Sequence, residues 1–134
     1  MAAGTTVPQA ALRPMEPDVA RVALQAFFSI AERWALSGQE QMRLLGMPAR
    51  TTFHKWKREG AKKLPQDTLE RISYVMGCYK ALHLIFQNDR QADTWIRRPN
   101  AAAPFNGASA LDYMLSGQVV DLADVRRYLD AERG

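Results

Sequence analysis

Apolar side chains recur every three or four residues along most of this chain, and this spacing constrains the fold more than any other feature. One such stripe begins at Val19, with Asp18 placed to cap it, and reaches Trp34. A longer stripe runs from Leu69 to Phe86. Neither stretch has the alternating pattern that is typical of strands. The sequence therefore predicts an all-α fold in which the longer helix is the spine.

Between the two stripes, the sequence predicts a helix-turn-helix. Ser37 offers an N-cap for a short helix over 39–45, and Gly46 suits the end of that helix. Pro48 fits the first turn of a further helix, which extends to about Arg58. The second helix of such a motif enters the major groove of DNA. The predicted DNA-binding residues are the outward ones of this helix, namely Arg50, Thr51, Thr52, His54, Lys55 and Lys57.

Positive charge is concentrated in the same region. Residues 43–63 contain seven basic side chains and one acidic side chain, whereas the net charge of the whole 134-residue chain is +4 at pH 7. The rest of the chain is therefore net acidic. A concentrated basic segment is typical of polyanion binding, which favours promoter DNA as a partner. A solvated basic face on an ordinary helical hairpin explains the same residues, so both interpretations stay open here.

Several functional classes have no support in the sequence. The single cysteine, Cys78, has no partner for an internal disulfide, and no segment resembles a secretion signal or reaches the roughly 18–20 apolar residues of a membrane span. We therefore expect a cytoplasmic protein without a membrane role. His54 and His83 have no metal-ligand spacing with Cys78, and no phosphate loop or nucleophile elbow is present. We expect no metal, no cofactor and no enzymatic activity.

The predicted domains are three. Residues 1–17 combine glycine and proline with few large apolar groups and are expected to form a flexible tail. Residues 18–65 form the helix-turn-helix region, and residues 66–134 form a small helical domain. After the spine helix we expect a break at 88–90 and a short helix with Trp95. Two last helices are expected over 109–116 and 122–131.

Large apolar residues are frequent among the short helices and loops of the last forty residues. They include Trp95, Phe105, Tyr113 and Tyr128. Such residues either close a small core or form a surface for a partner. For Trp95 and Leu111 the core is the preferred interpretation, so both are predicted to be structural.

The order of motifs in this second half resembles the toxin-binding domain of the MbcA/ParS/Xre antitoxin family. The motifs are WIRRPN at 95–100, FNG at 105–107, ALDYM at 110–114 and YLDAERG at 128–134. The preceding segment resembles the Xre-type helix-turn-helix that is joined to that domain. One departure is Ala110, which stands where many relatives have a proline, and it makes this helix start less rigid.

The resemblance implies an all-helical, dimeric antitoxin of a type II toxin-antitoxin system. Its partner would be a RES-domain toxin that consumes NAD or transfers ADP-ribose from it, and the antitoxin's last helix would cover the toxin's NAD pocket. The residues implied to bind the toxin are Pro99, Asn100, Phe105, Arg126, Arg127, Tyr128, Leu129, Asp130, Glu132, Arg133 and Gly134.

Within this set we expect Tyr128 and Leu129 to dock the last helix, while Arg133 and Gly134 obstruct the NAD site with a free chain end. The alternative function is a dimeric helix-turn-helix transcription regulator without a toxin partner. Binding to promoter DNA, and through it autoregulation of the operon, is compatible with both. A RES-domain toxin gene next to this one would distinguish them.

Overall fold

The computed structural model describes the backbone of residues 15–134 and the side chains of residues 18–134. This part of the chain is helical and contains no strand beyond an isolated β-bridge between Pro99 and Ser109, so the predicted all-α fold is confirmed. A 3₁₀ turn, Trp95–Arg97, follows the fifth helix. The helices are α1 (Met15–Arg33), α2 (Gly38–Leu44), α3 (Arg50–Glu59), α4 (Gln66–Ile85), α5 (Asp89–Thr94), α6 (Ala110–Met114) and α7 (Val119–Arg133).

The first helix begins earlier than the sequence predicted. Helix α1 starts at Met15, so the predicted tail is wrong for residues 15–17, and its remaining part, residues 1–14, lies outside the described residues. Pro17 falls in the first turn, where backbone N–H groups have no partner inside the helix. A proline there loses no helical hydrogen bond, which is why it does not mark the boundary.

Helices α2 and α3 form the predicted helix-turn-helix. Ser37 and Glu40 make a reciprocal capping box, in which Ser37 Oγ accepts from the Glu40 N–H at 3.1 Å and Glu40 Oε1 accepts from the Ser37 N–H at 2.8 Å. Gly46 follows the end of α2 with a φ of +92°, a left-handed conformation that favours glycine. The third helix begins at Arg50, so Pro48 lies in the turn and not in the first helical turn.

Helix α4 lies at the centre of the molecule and packs against both α1 and α7. Its buried residues include Ile72, Val75 and Leu82, which join Phe27 and Trp34 of the α1 side. Buried apolar residues from both halves of the chain form one continuous core. The helix-turn-helix and the C-terminal helices are therefore packed on a shared central helix.

Two boundaries in the C-terminal half differ from the sequence prediction. The Asn88 side chain accepts from the Gln91 N–H at 3.0 Å and so caps α5, where the sequence predicted only a break. Helix α7 begins at Val119, three residues before Leu122. Between α6 and α7 the chain turns at Gly117, whose φ is +93°. The longer α7 gives the C-terminal half its main packing surface against α4.

Candidate functional site

Four aromatic rings support the last helix. Tyr128 of α7 stacks on Trp95, with ring centroids 6.1 Å apart and an interplanar angle of 21°. Phe105 packs nearly perpendicular to both rings, with its centroid 5.1 Å from that of Tyr128 and 6.1 Å from that of Trp95, and Tyr113 lies 5.7 Å from Phe105. Aromatic pairs in these geometries contribute beyond their buried area. The cluster therefore holds α7 firmly against the 3₁₀ turn and the following loop.

Two of the residues expected to bind the toxin are buried within this framework. Phe105 is 3% exposed and Leu129 is 1% exposed. They position the surface and do not form it. Leu111 is buried in the core, and Trp95 is half-buried and packs against it.

The loop after the 3₁₀ turn is closed by Asn100. Its backbone N–H donates to the Ala108 carbonyl at 3.0 Å, and its carbonyl accepts from the Gly107 N–H at 2.7 Å. Its side-chain oxygen accepts from the Ala102 N–H at 2.9 Å. The Asn100 side chain thus shapes the loop, while its neighbour Pro99 is exposed on the surface.

A polar chain links α6 to α7. The Tyr113 hydroxyl donates to Asp124 Oδ2 at 2.8 Å, and Arg127 Nη1 donates to Asp124 Oδ1 at 3.0 Å. The hydrogen bond to Asp124, with burial as a second cause, raises the pKa of Tyr113 to about 12. Arg127 is exposed, but its guanidinium is already engaged by Asp124.

Arg126 and Asp130 lie on the side of α7 that faces α4. Arg126 Nε donates to Asp130 Oδ2 at 3.1 Å, and its guanidinium crosses α4 at Gly77. A Cβ atom at position 77 would lie 1.9 Å from Arg126 Nη1, so the close approach requires glycine. Cys78, the residue after Gly77, is buried beside this contact. Burial raises the pKa of its thiol to about 12, although the positive charge of Arg126 acts to lower it.

The end of α7 is exposed and belongs to the predicted toxin-binding set. Glu132, Arg133 and Gly134 are exposed and line a shallow cleft with Leu84 and Ile85 of α4. Within residues 18–134, Glu132 and Arg133 form no salt bridge, in contrast to the other charged members of the set. Sequence reasoning missed Leu84, which is 65% exposed. The signal that could have found it is a large apolar residue off the buried stripe of the helix.

The predicted DNA-binding residues share one helix. Phe53 and Trp56 are buried, which turns the opposite face of α3 outward. Lys57 Nζ lies 5.9 Å from the centroid of the Phe53 ring. Five of the six predicted residues are exposed and Thr52 is half-buried, the exposed ones being Arg50, Thr51, His54, Lys55 and Lys57.

Basic residues outside α3 extend this surface. Arg21 of α1 and the exposed Lys62 and Lys63 line a cleft together with Lys55. Two acidic side chains in the cleft are each paired with an arginine. From the sequence, Lys62 and Lys63 belong to the basic segment, but the side chains that they lie beside cannot be read from it. Nothing in the sequence groups Arg21 with them. Only the packing of α1 beside α3 brings these residues together.

The turn before α7 is tied to the other half of the molecule by two arginines. Arg43 Nη1 donates to the Leu115 carbonyl at 3.0 Å, and Arg71 Nη2 donates to the Gly117 carbonyl at 2.9 Å. Arg71 also donates to Asp67 at 2.8 Å and is itself buried. Charge-assisted hydrogen bonds of this kind fix where α7 starts relative to the helix-turn-helix.

Two further properties concern the described part of the chain alone. No group of three or more histidine, cysteine, aspartate or glutamate side chains there could hold a metal ion, and His83 lies 2.8 Å from Asp93 and 3.4 Å from Asp89. No helix in the same part is long and apolar enough to cross a membrane.

The fold and these surfaces define a class of protein: a helix-turn-helix domain joined through a shared central helix to a small helical domain. Two family models match the chain, the antitoxin Xre-like helix-turn-helix domain over residues 13–77 and the antitoxin Xre/MbcA/ParS C-terminal toxin-binding domain over residues 81–134. The chain belongs to this antitoxin family, which confirms the resemblance seen in the motifs.

A relative from Sinorhizobium fredii (strain NBRC 101917 / NGR234), described as the uncharacterized protein y4oB, is 56% identical over 119 residues. The match covers 87% of this chain and 90% of that protein. The similarity therefore extends across both domains.

Proposed function

We propose that this antitoxin neutralises a RES-domain toxin by placing the end of α7 over the toxin's NAD-binding site. The observation that carries the proposal is that some charged side chains of α7 are paired within the described part of the chain and others are not. Arg126, Arg127 and Asp130 are paired within the chain, whereas Glu132 and Arg133 are exposed and form no salt bridge among the described residues. In a toxin-binding domain, these two charges are available to a partner.

The chemistry of NAD gives these charges plausible partners. A pocket that binds a dinucleotide must present basic groups or N–H donors to two phosphates. The Glu132 carboxylate suits such groups, and the Arg133 guanidinium can bind a toxin carboxylate through two parallel hydrogen bonds. The specific choice of a RES-domain toxin rests on the resemblance of the motifs in residues 95–134.

Rigidity and an apolar contact support the same surface. The stack of Tyr128 on Trp95 orders α7 before any partner binds, which reduces the entropy lost on association. Leu84 lies beside the charged end in the same cleft and offers an exposed apolar anchor. The ordered helix and the Leu84 contact together would hold the end of α7 in one position on the toxin.

The test is NAD turnover by a purified RES-domain toxin, for which the product of the adjoining gene is the candidate, measured with saturating antitoxin. A variant that lacks residues 131–134 should fold and bind DNA, because Leu129 and the aromatic cluster remain, but it should inhibit poorly. Leu84→Asp should weaken inhibition by itself, while Lys62→Glu, in the basic cleft, should inhibit fully. Full inhibition by the shortened chain would contradict the proposal.

We further propose that the protein binds its own promoter as a homodimer through α3. The basic surface formed by α3 and the neighbouring cleft supports this role, since phosphate neutralisation supplies sequence-independent affinity. The same surface supports the second candidate function, a transcription regulator without a toxin partner. Copurification with the product of the adjoining gene would exclude that alternative.

A further inference from the structure

The basic cleft between α1 and the end of α3 contains positive charge that no acidic side chain of the cleft balances. Its basic lining residues are Arg21, Lys55, Lys62 and Lys63. The Asp18 carboxylate accepts from Arg21 Nη2 at 2.7 Å. The Glu59 carboxylate accepts from Arg58 Nη2 at 3.0 Å. Both acidic side chains of the cleft are therefore neutralised by arginines, and among residues 18–134 the three lysines form no salt bridge.

The loop that carries two of these lysines is anchored on both sides. Ala61 and Leu64 are half-buried and pack against the hydrophobic core, whereas Lys62 and Lys63 between them are exposed. Gly60 has a φ of +76°, a left-handed conformation that favours glycine, and it turns the chain from α3 into this loop. Packing thus fixes the backbone from which the lysines project, and less freedom is lost when they bind a partner.

The length of α3 places this loop at the edge of the groove that the helix enters. In a helix-turn-helix, the first residues of the second helix contact the base edges. Helix α3 has 10 residues, which is about 15 Å at a rise of about 1.5 Å per residue, whereas the major groove is about 12 Å wide. With its start at the bases, the helix therefore ends beside the phosphates that border the groove.

We infer that the basic cleft binds the DNA backbone at this border, with Lys62 and Lys63 each contacting a phosphate. Arg21 is a positioning residue of the same site, because it neutralises the Asp18 carboxylate, which would otherwise repel the phosphates. Phosphate contacts carry no sequence information, so the cleft supplies affinity and orientation while the start of α3 reads the bases. The inference deepens the proposed binding of promoter DNA and rests on it.

Fluorescence anisotropy of the full chain tests the inference with two labelled duplexes, the promoter of this gene and a shuffled duplex of equal length and composition. The double variant Lys62→Gln with Lys63→Gln should lose affinity for both duplexes by the same factor. Loss of two phosphate contacts should lower the slope of log affinity against log salt by about 1.8. The deficit of the variant should therefore grow by about sixtyfold when the salt falls from 1 M to 0.1 M.

Two matched variants separate this effect from a change in net charge or in base contacts. Lys80→Gln with Arg90→Gln removes the same charge from exposed positions outside the cleft, and it should leave the slope unchanged. Arg50→Gln, at the start of α3, should instead lower the preference for the promoter over the shuffled duplex. All of these side chains are exposed, so circular dichroism should show folded variants with unchanged melting temperatures.

The pairing of Asp18 with Arg21 has a test of its own. Arg21→Gln should weaken binding to both duplexes, because it leaves a carboxylate unpaired beside the phosphates. Adding Asp18→Asn should recover most of the loss, since that carboxylate is then absent. A merely structural effect of Arg21 on α1 would not be reversed by the second change, so a double variant as weak as Arg21→Gln would contradict the neutralising role.

Two results for the lysine pair would overturn the inference. One is a variant whose affinity and slope match those of the Lys80 and Arg90 control, and the other is a loss of affinity confined to the promoter duplex. If the lysine variant binds DNA fully but inhibits the toxin poorly, the cleft contacts an acidic surface of the toxin instead. A reduced preference in Arg50→Gln beside an unaffected lysine variant would leave the proposed DNA binding standing without the cleft. A wild type that binds neither duplex would contradict both.

Discussion

The guanidinium of Arg97 donates a 2.8 Å hydrogen bond to the carbonyl oxygen of Ala35, a residue 62 positions earlier whose φ is +55°. The same guanidinium donates to the Trp34 carbonyl at 3.2 and 3.3 Å and lies 3.3 Å from Glu40 Oε1. Arg97 therefore joins the C-terminal half to the turn that precedes the helix-turn-helix. A lysine would not offer the same fork of donors.

Arg97→Met should lower the free energy of unfolding by about 1–2 kcal/mol, because it leaves two backbone carbonyls without this donor. Urea unfolding followed by circular dichroism measures the change. Arg98→Met is the control, since among the described residues the Arg98 guanidinium donates to Thr94 alone, four residues away in the same segment. Equal stability of the two variants would show that the bonds to residues 34 and 35 contribute nothing measurable.

Trp95→Ala should lower the melting temperature, because it removes the ring on which Tyr128 stacks and against which Phe105 packs nearly perpendicular. The expected loss is about 3 kcal/mol, the lower end of the range for a truncated tryptophan, since Trp95 is half-buried. Trp95→Phe should recover part of it. Unaltered stability with lost toxin binding would instead make Trp95 an interface residue.

Tyr113→Phe should lower stability at neutral pH by about 0.5–1.5 kcal/mol through loss of the hydrogen bond to Asp124. Folding raises the pKa of Tyr113 from 10.0 to about 12, so this contribution is complete below pH 10 and is lost as the pH rises towards 12. Urea midpoints of wild type and variant should therefore converge between pH 10 and 12. A constant gap across that window would contradict the assigned role.

Cys78 should resist alkylation in the folded protein, because it is fully buried and its pKa is raised to about 12. Iodoacetamide at pH 8, followed by mass spectrometry, should label the thiol rapidly in urea and at least about a thousandfold more slowly without it, since labelling then requires an opening of the core. Similar rates in the two conditions would mean that the α4–α7 contact opens readily.

Exchange of Lys55 and Lys57 for Glu should weaken binding to promoter DNA and flatten its salt dependence. Loss of two phosphate contacts would reduce the slope of log affinity against log salt by about 1.8. The matched control exchanges Arg90 and Arg98, two exposed arginines of the C-terminal half, for Glu. Gel-shift titrations at several salt concentrations measure these slopes. Equal slopes for both variants would mean that the DNA does not contact Lys55 and Lys57.

Local signals explain which parts of the fold could be predicted. Ser37 at the start of α2 and Gly46 after its end act within four residues, so their effect can be read without knowing the rest of the chain. Local signals also led to two wrong helix boundaries, because by themselves Pro17 indicates the end of a tail and Asn88 a break in the helical pattern. A proline is tolerated throughout a first turn, and an asparagine can begin a helix as readily as it interrupts one.

The sequence by itself determined the all-helical class, the helix-turn-helix and, through its terminal motifs, the antitoxin family, because helical periodicity and short motifs are contained in neighbouring residues. Only the tertiary structure decided which of the implied residues are accessible. It buries Phe105 and Leu129, pairs Arg126 with Asp130, and exposes Leu84 beside Glu132. These outcomes depend on the packing of α4 against α1 and α7, which joins residues far apart in the chain, and no periodic pattern encodes such contacts.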